Sequence, residues 1–349
     1  MKECINYSTF ESGDIQCNTC EHRCRIKEGR TGICGIRKNT DRKLCLLTYG
    51  RAAAAHVDPM EKKPLFHFLP AHSVYSFGTI GCNFRCGNCQ NFGISQMFGA
   101  KGEVTQYDSL HWGYKMEPET IVREAQANQC AAIAYTYNEP TISMEYMLDT
   151  MKLAKKSGLK NVWVSNGYMT DETLDAIEPC LDAINVDIKS LDDKFYRKQC
   201  GASLEPVLRA CRRLVKKGVW LEVTTLIIPT LSDNEGMLKR IAEFIYDDLG
   251  STVPWHLSAF AGEISWKMKS LPATSLETIR QTYEIGAEIG LSYVYGGNIM
   301  ESSMQNTYCP RCREVVIRRN GYEIQRRDLG GACPKCGEII AGFFNYPNS

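Results

Sequence analysis

The sequence predicts an α/β protein with a parallel (β/α) barrel at its centre and cysteine-rich segments at both ends. Short apolar, β-prone runs alternate with helix-periodic segments between about residues 70 and 300, which is typical of parallel strands joined by crossover helices. Most of the 17 cysteines fall into three closely spaced groups. We therefore expect an N-terminal metal-binding extension (1–68), a partial barrel (69–303) and a zinc-ribbon-like C-terminal domain (304–349).

The composition is that of an ordinary globular protein. Hydrophobic residues make up 44% and charged residues 23% of the 349 residues. The 41 basic and 40 acidic residues nearly cancel, which gives no reason to expect a nucleic-acid or membrane partner. No segment approaches the roughly 18 apolar residues of a membrane span, and the N-terminus lacks the apolar stretch of a signal peptide. We expect a cytoplasmic protein with reduced cysteines.

The barrel is predicted element by element from hydrophobic periodicity. Its seven strands are expected at 72–78, 131–137, 161–165, 183–188, 220–228, 255–260 and 292–295. Its helices are expected at 118–126, at 142–157, from 171, through 217, at 234–249 and at 275–289. Seven strands with helices between them fit an open or full barrel, in which chemistry is found at the carboxyl ends of the strands.

The first cysteine group lies before the barrel and compresses four sulfurs into 18 residues. It consists of Cys17, Cys20, Cys24 and Cys34. Thiolates this close together bind a metal or oxidise, and zinc, a single iron or an auxiliary iron–sulfur cluster would each accept them. We favour a structural metal at this stage.

The second group, in the loop after the first barrel strand, has three cysteines: Cys82, Cys86 and Cys89. A structural site closes its coordination shell, whereas a reactive site leaves one position open. Three thiolates that hold a 4Fe–4S cluster would leave one iron free for a small molecule. The sequence therefore predicts a reactive cluster here.

The third group forms two knuckles near the C-terminus, made of Cys309 and Cys312, then Cys333 and Cys336. Four thiolates in this arrangement suit tetrahedral Zn²⁺, so a structural zinc site is predicted, with an iron or cluster site as the alternative. Seven basic and three acidic residues lie between 309 and 336, an excess that a solvated face explains better than an acidic partner. The six remaining cysteines are expected to be small buried hydrophobes.

Polar residues occupy the predicted strand ends. They are Asn138 and Glu139, Ser165 and Asn166, Asp187 and Lys189, Thr224 and Thr225, His256, and Gly297 and Asn298. Each has a simpler explanation: a helix entry, a turn, an ion pair, or for His256 a hydrogen-bonded core residue. Their common position at the catalytic end of a barrel favours an active site.

The cysteine loop, Cys82-Asn-Phe-Arg-Cys86-Gly-Asn-Cys89, resembles that of the radical S-adenosylmethionine (SAM) superfamily. Further segments resemble the radical SAM proteins of the AmmeMemoRadiSam system, which are relatives of pyruvate formate-lyase activating enzymes. These segments are HVDPMEKKPLFHFLP (56–70), TIGC (79–82), TYNEPT (136–141), VDIK (186–189) and PWH (254–256). Together with the cysteine groups at both ends, the resemblance covers nearly the whole chain.

The resemblance implies roles for individual residues. The three loop cysteines would bind three irons of a 4Fe–4S cluster, and SAM would bind the fourth iron through its amino and carboxylate groups. The other implied SAM contacts are Asn138 and Glu139 at the amino group, Ser165 and Asn166 near the ribose and carboxylate, Asp187 and Lys189 as organising residues, His256 near the ribose, and Gly297 and Asn298 at the adenine.

Two positions depart from the family pattern. An aromatic residue usually precedes the third cysteine, whereas this chain has Asn88 there. Either Phe84 or Phe92 would then replace the ring, or Asn88 would hydrogen-bond the base. The second departure is Ser258-Ala259 after the histidine, where relatives are expected to have a bulkier basic residue.

The implied activity is reductive cleavage of SAM to a 5′-deoxyadenosyl radical that abstracts hydrogen from a substrate. One hypothesis is a peptide or small-molecule substrate, with Memo-like and AMMECR-like partner proteins. The other is a glycyl-radical enzyme as the partner to be activated. Both require an electron donor such as flavodoxin or ferredoxin. A non-catalytic metal-binding adaptor is the alternative from another class.

Overall fold

We describe the protein from a computed structural model, which covers residues 1–98 and 113–346. The N-terminal region consists of short strands in small antiparallel sheets. Its strands are β1 (Lys2–Glu3), β2 (Tyr7–Thr9), β3 (Ile15–Cys17), β4 (Arg25–Ile26), β5 (Arg37–Thr40), β6 (Lys43–Leu46), β7 (Arg51–Ala52) and β8 (Ala54–Pro59). Two of the sheets have the orders β1-β6-β5 and β2-β3-β4, so the sequence between 1 and 46 folds largely upon itself.

The barrel strands follow in the predicted places. They are β9 (Ser73–Gly78), β11 (Ala132–Tyr135), β12 (Lys160–Ser165), β13 (Ala183–Asp187), β14 (Trp220–Ile227), β15 (Trp255–Ala259) and β16 (Val294–Gly297). The intervening β10 (Tyr114–Lys115) pairs with β7 instead. The seven barrel strands are parallel, and the sheet order β16-β15-β14-β13-β12-β11-β9-β8 leaves β16 and β8 as the two edges. The predicted mixed α/β architecture with a partial barrel is confirmed in this respect.

Helices connect the strands over the outside of the sheet. They are α1 (Phe92–Ser95), α2 (Pro118–Ala127), α3 (Met144–Lys156), α4 (Asp171–Ile177), α5 (Asp193–Phe195), α6 (Glu205–Lys216), α7 (Glu235–Phe244) and α8 (Leu276–Ile289). In α6 the buried residues Val207, Leu208, Cys211 and Leu214 recur at three- and four-residue spacing, so one face packs on the sheet. The helix α8 begins at the Ser275 cap and ends at Gly290, which adopts the left-handed conformation.

The edge strand β8 comes from the segment predicted as the N-terminal extension. It runs antiparallel to β9, with Ala54 opposite Gly78 and Pro59 opposite Ser73. The segment before residue 69 therefore contributes directly to the barrel sheet, and the proposed division at residue 68 stays a prediction.

The lower half of the barrel interior is filled with small apolar side chains. Val74, Ala132, Ala134, Val162 and Ala183 are buried there. The buried side chains Leu65 and Phe68, from the segment that precedes β9, complete this cluster. Because this end is packed, the opposite end, at the carboxyl termini of the strands, is left for chemistry.

The C-terminal segment forms a three-stranded antiparallel sheet of β17 (Thr307–Tyr308), β18 (Val315–Asn320) and β19 (Glu323–Arg326). A separate hydrophobic cluster joins it to the barrel, with Tyr293 and Tyr295 from the barrel side and Val316, Ile317 and Phe344 from the C-terminal side. Within the part of the chain that the structure covers, no helix has the length and apolar character needed to cross a membrane.

Candidate active site

The second cysteine group lies in the loop that follows β9, at the carboxyl edge of the sheet. Cys86 is buried, while Cys82 and Cys89 are partly accessible. The backbone N–H of Phe84 donates to Cys82 Sγ at 3.3 Å, and Cys89 Sγ lies 3.1 Å from Ser95 Oγ. Burial raises the pKa of the Cys82 and Cys89 thiols, and these hydrogen bonds oppose that shift and so favour the thiolate form that binds a metal.

Asn138 fixes this loop to the end of β11. Its amide nitrogen donates to Thr79 Oγ1 at 3.1 Å and to the Gly81 carbonyl at 2.9 Å. Its amide oxygen accepts from the Thr79 backbone N–H at 3.2 Å. Gly81 has a φ of +84°, and a Cβ there would lie 2.6 Å from the Cys34 carbonyl oxygen, so glycine is required. Asn138, predicted as a SAM contact, holds the start of the cysteine loop in place.

Glu139 is buried and accepts four hydrogen bonds. Its Oε1 accepts from Thr141 N at 3.0 Å, Thr141 Oγ1 at 2.5 Å and Ser165 Oγ at 2.8 Å. Its Oε2 accepts from Asn166 N at 2.8 Å. Burial raises the pKa of Glu139, and these hydrogen bonds oppose that shift. The carboxylate thus ties the end of β11 to the end of β12 and brings three predicted site residues together.

Asn166 connects the end of β12 to the cysteine loop. Its amide nitrogen donates to Asn83 Oδ1 at 2.8 Å. Two other amide atoms of the loop, Asn83 Nδ2 and Asn88 Oδ1, are buried and have no hydrogen-bond partner among the described residues. Buried polar atoms normally have partners, so these two mark a place where a polar ligand would be satisfied. Together with three thiols, they fit the cluster that the cysteine spacing predicts and the SAM that the family resemblance implies.

Asp187 and Lys189 form the predicted ion pair, with 2.9 Å between Lys189 Nζ and Asp187 Oδ2. Burial by itself would lower the pKa of Lys189. The negative charge of Asp187, the largest opposing effect, helps to outweigh burial, and the pKa of Lys189 is raised well above its usual value. Lys189 is therefore a permanent cation beside the cysteine loop.

Asn298 directly follows β16, the last barrel strand. Its backbone is left-handed, with φ of +57°, and its amide nitrogen donates to Ser258 Oγ at 2.9 Å. Ser258 of β15, which departs from the family pattern, is thus hydrogen-bonded to Asn298, the residue after β16. The neighbouring Gly297 is the last residue of β16.

Of the two aromatic candidates for an adenine contact, Phe84 is buried against Tyr168, with 5.3 Å between the ring centroids. Phe92 begins α1.

His256 lies near the start of β15, inside the barrel. Its Nε2 is 2.6 Å from Glu222 Oε2, and its ring stacks on Tyr295 with 5.2 Å between centroids. His256 is thus a hydrogen-bonded core residue, which is the simpler of its two interpretations from sequence. Its contact with the ribose of SAM stays a prediction. Glu222 was not anticipated, although a carboxylate inside a continuous apolar strand is a signal that could have found it.

Group three forms a compact sulfur cluster. The Sγ atoms of Cys309 and Cys336 are 3.6 Å apart, as are those of Cys312 and Cys333. All four sulfurs lie within 4.8 Å of one another. In a tetrahedral site with Zn–S bonds of about 2.3 Å, sulfurs are separated by about 3.8 Å, so the four cysteines fit one metal ion.

Group one is brought together around one pocket, which Cys17, Cys20, Cys24 and Cys34 all line. Its sulfurs are more widely spaced than those of group three. Of the six remaining cysteines, five are buried as predicted, and Cys180 is half-buried.

Comparisons with known proteins agree with this site. Residues 77–245 match the model of the radical SAM superfamily. An uncharacterized protein of Methanocaldococcus jannaschii is 40% identical over 343 residues, which cover 97% of this chain and 99% of that protein. Pyruvate formate-lyase 1-activating enzyme of Escherichia coli is 24% identical over 190 residues, or 50% of this chain and 74% of the enzyme.

Among solved structures, a radical SAM methyltransferase from Sphaerobacter thermophilus covers 66% of this chain and 67% of its own, at 14% identity and a TM-score of 0.48. Residues 77–245 of the chain therefore form a radical SAM domain. Its sequence is also homologous to pyruvate formate-lyase activating enzymes.

Proposed function

We propose that the protein is a radical SAM enzyme whose Cys82, Cys86 and Cys89 hold a 4Fe–4S cluster, with SAM at the remaining iron. One observation carries this proposal. The three-cysteine loop lies at the carboxyl edge of the parallel sheet and is joined by hydrogen bonds to the polar ends of the neighbouring strands. Membership of the superfamily supports it independently.

When bound, the cluster and SAM supply the difficult chemistry: one electron enters the sulfonium, a C–S bond breaks, and methionine and a 5′-deoxyadenosyl radical result. The chain's own residues position these groups. Glu139 fixes the strand ends on one side of the site through Ser165 and Asn166. On another side, Asp187 holds the ammonium group of Lys189 in place, and Lys189 would offer a positive charge to the carboxylate of SAM.

The substrate that we propose is a peptide or small molecule, with Memo-like and AMMECR-like proteins as partners and a flavodoxin or ferredoxin as electron donor. Activation of a glycyl-radical enzyme is the second candidate. The homology to pyruvate formate-lyase activating enzymes favours that candidate. For group three we propose Zn²⁺, because four sulfurs within 4.8 Å of one another suit a single tetrahedral ion.

Anaerobic reconstitution with iron and sulfide tests the proposal. The protein with SAM and dithionite should produce 5′-deoxyadenosine and methionine in equal amounts. Electron paramagnetic resonance (EPR) of each candidate partner after incubation then separates the two substrate classes, because activation leaves a stable glycyl radical and peptide or small-molecule modification does not. A protein that binds zinc alone and never SAM would establish the adaptor alternative instead.

A further inference from the structure

The four cysteines of group one differ from those of group three in the separation of their sulfurs. Among the described residues, the group-three cysteines are the set whose ligand atoms all lie within 4.8 Å of one another. No three sulfurs of group one approach that closely, although all four line the same pocket. A single zinc ion requires close sulfurs because its four Zn–S bonds are about 2.3 Å long. A 4Fe–4S cluster has each cysteine on a different iron, which separates the sulfurs further.

The loop that contains Cys82, Cys86 and Cys89, here called the SAM loop, resembles group one in this respect. Its three cysteines also do not form a set within 4.8 Å. Groups one and two therefore both differ from group three, whose four sulfurs are close enough for a single ion. Group two, which is proposed to bind a 4Fe–4S cluster, thus resembles group one in having no set of sulfurs within 4.8 Å.

The group-one pocket is enclosed and anchored to the barrel. Cys17, Cys20 and Cys34 are buried. The Thr19 carbonyl accepts from Thr173 Oγ1 at 2.8 Å, which joins the loop to α4. A metal group at this position would therefore be held by mostly buried cysteines, on a loop that a hydrogen bond fixes to the barrel.

Group one also contacts the SAM loop directly. His22, between Cys20 and Cys24, places its Nε2 2.7 Å from the Asn83 carbonyl oxygen. The Arg85 guanidinium donates to the carbonyl oxygens of Cys82, at 2.8 Å, and of Ile33, the residue before Cys34. The two cysteine loops are therefore adjacent, with a single arginine bonded to both.

From these observations we propose that Cys17, Cys20, Cys24 and Cys34 bind a second iron–sulfur cluster, next to the SAM loop, rather than a structural zinc ion. This inference goes beyond the proposed function and does not depend on SAM cleavage. The sequence alone favours a structural metal at this position, and the sulfur geometry changes that preference.

Metal analysis of a full-length triple variant, Cys82→Ala with Cys86→Ala and Cys89→Ala, tests it. After anaerobic reconstitution the variant should still contain about four iron and four sulfide per chain, and about one zinc. Dithionite should produce the EPR signal of a reduced cluster. A variant that contains about two zinc and no iron, or one zinc and no other metal, would overturn the inference.

Adding Cys20→Ser to the triple variant should abolish the remaining iron. Adding Cys45→Ser, which changes a nearby cysteine outside the group, should leave it in place. If the Cys20 variant does not fold, the unmodified chain decides: about eight iron and one zinc support the inference, and about four iron and two zinc contradict it.

The two proposals fail separately. A wild-type protein that cleaves SAM while its triple variant holds no iron would contradict the second cluster alone. A triple variant that keeps its iron, with a wild-type protein that never cleaves SAM, would contradict the proposed function alone.

Discussion

At the scale of single residues, Glu139 is the most connected side chain of the site. The resemblance assigns it to the amino group of SAM, whereas in the structure both carboxylate oxygens already accept hydrogen bonds, four in total. Its demonstrated contacts are with Thr141, Ser165 and Asn166. The residue therefore organises two strand ends, and any contact with SAM is made in addition to that task.

We predict that Glu139→Gln lowers both stability and SAM binding. The amide has the same shape but places an NH₂ group against an N–H or O–H donor, which leaves a buried donor unsatisfied at a cost of about 1–3 kcal/mol. Urea unfolding and equilibrium binding of SAM to the reconstituted protein measure the two effects. Glu119→Gln, which changes an exposed carboxylate on α2, is the control and should change neither. Unchanged SAM binding in Glu139→Gln would show that the carboxylate is dispensable.

Sequence patterns predicted the positions of the site residues along the strands better than they predicted the contacts of those residues. Asn138, Glu139, Ser165 and Asn166 could be placed at strand ends because short apolar runs stop there. The pairing of His256 with Glu222, and the use of Asn83 to bridge to Asn166, depend on the registers of neighbouring strands. Those registers are set by packing over long sequence distances, which local patterns do not contain.

At the scale of elements, one buried ion pair fastens the N-terminal region to the barrel. Arg37 of β5 donates to Glu145 of α3, with 2.5 Å between Nη2 and Oε2, and both side chains are almost fully buried. Arg37 Nε also donates to the Ile142 carbonyl at 2.8 Å. Because Arg37 lines the group-one pocket, this pair helps to hold that pocket against the barrel.

We predict that Glu145→Gln destabilises the protein by about 3–5 kcal/mol, since it leaves a buried guanidinium without its counter-charge. The change in the free energy of unfolding can be measured in urea. The control is Glu3→Gln, which removes the exposed pair between Glu3 and Lys43 and should leave the unfolding midpoint unchanged. Equal effects of the two substitutions would contradict the anchoring role of the buried pair.

The seven parallel strands could be predicted because each is a compact apolar run between polar or glycine-containing turns. The antiparallel β8 was not predicted. Its sequence, Ala-Ala-His-Val-Asp-Pro, has little β-propensity, and several of its residues are exposed or half-buried. It forms a strand because β9 offers an unpaired edge, which is a tertiary cause.

At the scale of the whole molecule, His67 joins the barrel to the C-terminal segment. Its Nδ1 lies 2.6 Å from the Ala341 carbonyl, which can only accept, so Nδ1 carries the proton. Its Nε2 then accepts from the Tyr295 hydroxyl at 2.5 Å. Burial lowers the pKa of His67 to about 4, while the Glu222 carboxylate acts in the opposite direction. His67 therefore connects the barrel to the C-terminal segment as a neutral imidazole.

We predict that this joint weakens as the pH falls from about 6.5 towards 4. In that window the unfolded chain binds a proton at His67 and the folded chain does not, so the free energy of unfolding decreases. Urea unfolding of the wild-type protein and of His67→Gln across this range measures the effect. The wild-type protein should lose more stability than the variant, and parallel pH profiles would refute the prediction.

The proposed function requires the three cysteines of the SAM loop to bind three irons of a 4Fe–4S cluster and to leave the fourth iron open for SAM. Cys200 provides the matched control, because its carbonyl accepts from Arg85 N at 2.8 Å and its thiol is buried beside the loop. The most direct measurement is 5′-deoxyadenosine formation by the reconstituted wild-type, Cys86→Ala and Cys200→Ala proteins. We predict formation by the wild-type and Cys200→Ala proteins and none by Cys86→Ala. Cleavage of SAM by Cys86→Ala, or its loss in a folded Cys200→Ala protein, would contradict the three-cysteine site.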